Sequence, residues 1–125
     1  MKYFVLTNNP LVQEQLTPVA TVVFESVSIK AIFEEAARFV AQGHRLLTHP
    51  LSGSVKPGET PYKSMLLDSK ASPDVDATSA RLVSGALDAC GKFEDKTELY
   101  DEQVLRDLQL VDLSLIQGAV SSANI

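Results

Sequence analysis

The apolar positions of this chain change their spacing several times, and each change predicts an element. Residues 2–7 are rich in β-formers and stop at Asn8, Asn9 and Pro10, which predicts a short buried strand ending where proline removes a ladder donor. Pro10 suits a first helical position, with Leu11, Val12 and Leu16 on one side of a brief helix before Thr17 and Pro18. Residues 20–27 (ATVVFESV) are β-branched and predict a second strand. From Ser28 to Gln42 the positions Ile29, Ile32, Phe33, Ala36 and Val40 recur at helical spacing, with Lys30, Glu34, Glu35 and Arg38 opposite and Gly43 placed as a left-handed cap. Residues 44–48 (HRLLT) then predict a third strand. Strand, helix, glycine and strand in that order favour a parallel pair with a right-handed crossover.

Residues 63–67 (KSMLL) predict a further strand. Ser72 is a suitable N-cap for a second long helix, with Pro73 at its first position, Asp74 and Asp76 in its first turn, and Val75, Leu82, Val83, Ala86, Leu87, Cys90 and Phe93 on its apolar face. Residues 94–98 form a charged connector, and Asp101 can cap a short helix through Arg106. Residues 108–115 (LQLVDLSL) fit both an alternating strand and a helix; they are read as strand through Val111 and then a turn, with Asp112 capping a final helix. The sum is a single α/β domain over residues 1–125, with a mostly parallel sheet of about four to five strands flanked by helices.

Composition narrows the function classes. A hydrophobic fraction of 45% and a charged fraction of 22% in 125 residues are ordinary globular usage, enough to close one core. The net charge of −5 opposes binding to nucleic acid or to an anionic membrane surface. No stretch approaches the roughly 20 apolar residues that span a bilayer. Cys90 is the only cysteine, which precludes an internal disulfide and any CxxC redox or zinc motif and fits a cytoplasmic setting.

Candidate chemistry concentrates at two polar segments, since α/β sheets bind ligands where loops leave the carboxyl ends of their strands. These are Thr7, Asn8 and Asn9 after the first strand, and residues 49–62 (HPLSGSVKPGETPY) after the third. If those strands are neighbours, the asparagine amides face the Ser52-Gly53-Ser54 turn across a shallow pocket. Small residues there let backbone N–H groups point at an anion, Lys56 adds a cation, and Tyr62 stands at the loop exit. The segment from His44 to Lys63 holds Arg45, Lys56 and Lys63 against Glu59, a locally positive stretch in an acidic chain. The same residue types also serve any stiff turn, and neither a Walker spacing nor a GxGxxG is present. His49 precedes Pro50, which holds it extended as a donor or base, or as a structural hydrogen-bonding group. Ser52 or Ser54 with His49 is the raw material of a hydrolase, but the GxSxG elbow and an orienting acid are missing. His44 and His49 have no partner at a metal-ligand spacing. The binding candidates are therefore Asn8, Asn9, His49, Ser52, Gly53, Ser54, Lys56 and Tyr62, with no catalytic residue, metal or cofactor assigned.

The run from Gly43 to Ser64, GHRLLTHPLSGSVKPGETPYKS, resembles the GrdX family, as do TNNPLV (residues 7–12) and LQLVDLSLI (residues 108–116) in matching order. That family accompanies glycine, sarcosine and betaine reductase gene clusters of anaerobic, amino-acid-fermenting bacteria. The resemblance implies an accessory rather than catalytic protein, working with a component of the reductase complex or with a small anion such as acetyl phosphate, and it leaves room for a homo-oligomer. The alternative is a small enzyme acting on a phosphorylated or carboxylated metabolite, with His49 as acid or base and Lys56 as electrostatic stabiliser.

Overall fold

The computed structural model describes residues 2–51, 56–92 and 96–123. Strand β1 (Tyr3–Thr7) leads into helix α1 (Pro10–Leu16), strand β2 (Val22–Phe24), helix α2 (Ile29–Ala41), strand β3 (Ser64–Asp68), helix α3 (Ala77–Lys92), a 3-10 turn (Thr97–Leu99) and helix α4 (Glu102–Ala123). The sheet order is β2-β1-β3. β1 runs parallel to β2, with Val5 opposite Val22, and antiparallel to β3, with Val5 opposite Leu66.

Because side chains alternate across a strand, β1 and β3 divide the apolar core between two faces. Phe4, Leu6, Met65 and Leu67 meet Ile32, Phe33, Ala36 and Val40 of α2 and Val83 and Ala86 of α3. Tyr3, Val5 and Leu66 meet Val12 and Leu16 of α1 and Leu113, Ile116 and Val120 of α4. The result is three layers, with α2 and α3 on one side of the sheet and α1 and α4 on the other. Each fully buried aliphatic in this core contributes about 1.5–3 kcal/mol relative to an exposed one.

The sheet differs from the sequence expectation: it is mixed rather than mostly parallel, and among the described residues it has three strands rather than four to five. The expected third strand at residues 44–48 reduces to an isolated bridge between Leu46 and Leu67. Its ladder stops because side chains take the next donors: Thr48 Oγ1 accepts from the Leu66 N–H, and Ser79 Oγ accepts from the Leu46 N–H. That segment borders β3, so it is not the neighbour of β1. The parallel pair is β1 and β2, joined through α1. Of residues 20–27 only Val22–Phe24 form strand.

Two helix boundaries also move. α3 begins at Ala77, not near Ser72, because Asp76 Oδ2 accepts from both the backbone N–H (3.0 Å) and the hydroxyl (2.6 Å) of Ser79. Ser72 is engaged elsewhere: its N–H donates to the Gly43 carbonyl and its hydroxyl oxygen accepts from Asp74 N–H. Gly43 has φ of +106°, as expected for a left-handed cap. Residues 108–111 are not strand. They lie inside the 22-residue α4, whose N-terminus Asp101 caps through Val104 N–H, so Asp112 is mid-helix and not a cap. The helical repeat of Leu113, Ile116 and Val120, packed on α1 and β3, decides between the two periods that the sequence permits.

Candidate functional site

The carboxyl ends of β1 and β2 and the amino end of β3 share one edge of the sheet, and Asn8 ties together the loops that leave it. Its Nδ2 donates to the carbonyls of Val27 (2.9 Å) and Pro61 (2.8 Å), while its Oδ1 accepts from Lys63 N–H (2.8 Å). One amide thus joins the β2–α2 connection to the exit of the long loop. Asn9 caps α1, its Oδ1 accepting from Leu11 N–H with Pro10 at the first helical position.

Behind the asparagines lies a closed ring of buried polar groups. Ser64 Oγ donates to Asp112 Oδ2 (2.7 Å), so it accepts from the hydroxyl of Thr7 (2.6 Å), which in turn accepts from Asn9 N–H (2.9 Å). Asn9 Nδ2 completes the ring on Asp112 Oδ2 (3.0 Å), and Ser64 N–H reaches Asp112 Oδ1 (3.1 Å). Thr7, Asn9, Ser64 and Asp112 are all buried, and among the described residues every buried side-chain polar atom has a partner. A ring satisfied in this way fixes the docking of α4 on the sheet, since any slip would strand donors away from water. Lys63 is buried beside it; desolvation lowers its pKa and the charge of Asp112 acts in the opposite direction.

The loop from residue 49 to 63 is held in its second half. Gly58 adopts φ of +92°, and its carbonyl accepts from Lys96 N–H (2.8 Å). Tyr100 Oη donates to the Glu59 carbonyl (2.9 Å), and Pro57, Gly58 and Thr60 are buried. Tyr62 is half-buried, its hydroxyl accepting from Gln109 Nε2 of α4 (2.9 Å). Lys56 is exposed. His49 is also exposed, and its Nδ1 accepts from Leu51 N–H within its own turn (3.1 Å). Ser52, Gly53 and Ser54, and Phe93 of the expected apolar face of α3, lie outside the described residues.

The structure therefore brings Asn8 against the loop exit at residues 61–63, but through internal hydrogen bonds rather than across an open pocket. Two clefts flank Thr60. One, against Leu108, Val111 and Leu115 of α4, holds about 20 Å³, room for about one water. The other, of about 350 Å³, lies between the start of α2 at Ser28, Ile29 and Lys30 and the loop residues Pro57 and Pro61, a volume suited to a small metabolite. The positive stretch of the sequence is also thinner on the surface than in the chain, because Lys63 is buried. Among the described residues no cluster of His, Cys, Asp or Glu is arranged to hold a metal, and no helix is long and apolar enough to cross a membrane.

Sequence reasoning placed Thr7 in the first polar segment and Lys63 in the positive stretch without giving either a site role, and it missed Ser64 and Asp112. The available signal was Asp112, which has Leu113 beside it and Leu108 and Ile116 one helical turn away on either side. A carboxylate at such a position is buried only with partners.

Comparison with known proteins gives one assignment. No curated protein and no solved structure matches the chain significantly. The family model described as GrdX-like protein matches residues 4–121, so nearly the whole chain, strands, loop and α4 included, belongs to the GrdX-like family.

Proposed function

We propose that this chain is an accessory protein of a glycine, sarcosine or betaine reductase system, without catalysis of its own, and that the loop at residues 49–63 is the surface with which it binds a small anion or a component of that system. The observation that carries the reading is the double attachment of the loop. Asn8 grips its exit from inside the sheet edge, and Lys96 N–H and the Tyr100 hydroxyl grip its middle from the other end of the chain. A connection needed only for chain continuity has no use for partners from two segments so distant in the chain. A preformed recognition surface does, because ordering it in advance lowers the entropy cost of binding. Asn8 and Asn9 shape this surface from behind. His49, Ser52, Gly53, Ser54, Lys56 and Tyr62 are its contact residues, and the adjoining cleft at the start of α2 supplies the space for an anion.

A thermal-shift series with phosphate, acetyl phosphate, glycine and betaine, on the parent and on Lys56→Ala, tests the proposal. A ligand that binds only the folded chain raises the melting temperature by mass action. The expected result is a rise of a few degrees with an anion, lost in Lys56→Ala. If no compound shifts the parent and no reductase component is retained by it on a column, the proposal fails. Turnover that disappears in His49→Ala would replace it with the small-enzyme reading.

A further inference from the structure

At the end of the sheet away from the long loop, a groove of about 720 Å³ opens between β3 and the last turns of α4, a volume within the range of small-molecule sites. Its walls explain why it stays open. α4 is held to the sheet by Leu113, Ile116 and Val120, but the side chains it turns to the groove are Ala119, Ser122 and Ala123, too short to reach across. On the other wall Leu46 packs into the core on the α2 and α3 side, so Leu47 points to the opposite face, where it is 41% exposed. Tyr3 and Leu66 form the floor between them.

Charge enters at one end of this apolar trough. Ser69 N–H donates to the Lys2 carbonyl (3.0 Å), which carries the β1–β3 pairing one residue further and sets Lys2 beside Lys70. Asp68 is the one carboxylate of the lining, and its Oδ1 accepts from Lys70 N–H (3.0 Å) within its own turn. Neither lysine side chain is held in an ion pair with a described residue. α4 adds nothing to the balance, since residues 113–123 carry no charged side chain. Two cations against one carboxylate leave the lining at +1, in a chain of −5.

We infer that the groove is a binding site for a small monocarboxylate with an apolar body, its carboxylate between Lys2 and Lys70 and its body along Leu47, Leu66 and Ala119. A lining of +1 is balanced by one carboxylate, whereas a phosphate dianion brings a surplus charge to the side of Asp68. The apolar floor calls for an apolar body, because an acid as short as acetate leaves those leucines in water. The site is separate from the loop proposal: it lies at the other end of β1 and needs neither Lys56 nor the cleft beside α2.

Isothermal titration calorimetry of the whole protein tests the assignment with octanoate and phenylpropanoate, with octanol and octylammonium as neutral and cationic twins, and with acetate. At least one of the two apolar acids should bind at one per chain, roughly tenfold or more tighter than either twin, and acetate should give no binding. The double variant K2Q/K70Q should bring that acid down to the affinity of octanol and leave octanol unchanged. Leu47→Ser, at an exposed position, should weaken it about tenfold with little change in melting temperature, while Lys56→Ala should bind like the parent. No saturable binding of either apolar acid overturns the inference, as does a twin or acetate that binds as tightly. An acid preference that survives intact in K2Q/K70Q overturns it as well.

Discussion

Ser64 and Asp112, 48 residues apart in sequence, meet through two hydrogen bonds: the backbone N–H of Ser64 reaches Oδ1 of Asp112 at 3.1 Å and its hydroxyl reaches Oδ2 at 2.7 Å. The first residue of β3 and the middle of α4 are thereby locked in register. Asn9 joins them from the start of α1, so one carboxylate aligns three elements on one face of the sheet.

Removing that carboxylate should cost far more than an average substitution. Asp112→Ala takes the acceptor from the Ser64 N–H and hydroxyl and one of the two acceptors from Asn9 Nδ2, which keeps the Gln109 carbonyl, and leaves Lys63 without its neighbouring anion, a loss of roughly 3 kcal/mol. Asp112→Asn should recover little, because its NH2 must face Ser64 N–H on one side or Asn9 Nδ2 and the Ser64 hydroxyl on the other. Urea unfolding measures both, and variants within about 0.5 kcal/mol of the parent would show that the ring contributes nothing to docking α4.

Gly43 is required by its surroundings as well as by its backbone. A Cβ at its φ of +106° would overlap the carbonyl oxygen of Ser72, a residue whose N–H is bonded to the Gly43 carbonyl at 2.9 Å. Gly43→Ala should therefore destabilise by at least about 2 kcal/mol through left-handed strain and backbone displacement together. Gly85→Ala is the control: no atom stands near its added methyl, and alanine favours the helix interior, so it should be neutral or stabilising. A Gly43→Ala melting temperature equal to the parent's would refute the argument.

Lys63 makes stability depend on alkaline pH in a definite direction. Burial lowers its pKa in the folded chain, with Asp112 opposing the shift. Between the lowered folded value and the ordinary lysine value, the unfolded chain holds the proton that the folded chain has released. Stability from this residue therefore rises as pH climbs through that window, and it is flat below the folded pKa. Relative to Lys63→Met, the parent should gain stability on going from neutral pH to about pH 10. Parallel pH–stability curves for the two proteins would count against burial as the governing influence on this amine.

Much of the local structure was legible in the residues. β1, α1 and α2 were readable because each carries its own period and its own terminator: Asn8 and Asn9 before Pro10, and Gly43 as a left-handed stop after the helical repeat that begins at Ile29. The start of α3 was misplaced by four to five residues because Ser72 and Asp76 are both competent caps, and the Gly43 carbonyl had already claimed the Ser72 N–H.

By itself, then, the sequence determined the α/β class, the first strand, helices α1 and α2 and the membership of the family, all of which rest on short-range periodicity or on a long contiguous motif. Only the tertiary structure decided the direction of β3, the demotion of residues 44–48 to a bridge, the helical state of residues 108–115 and the burial of Asp112. Each of these turns on partners distant in the chain, Leu67 for Leu46 and Ser64 for Asp112, and a pattern that fits both strand and helix acquires one answer only when such a partner arrives.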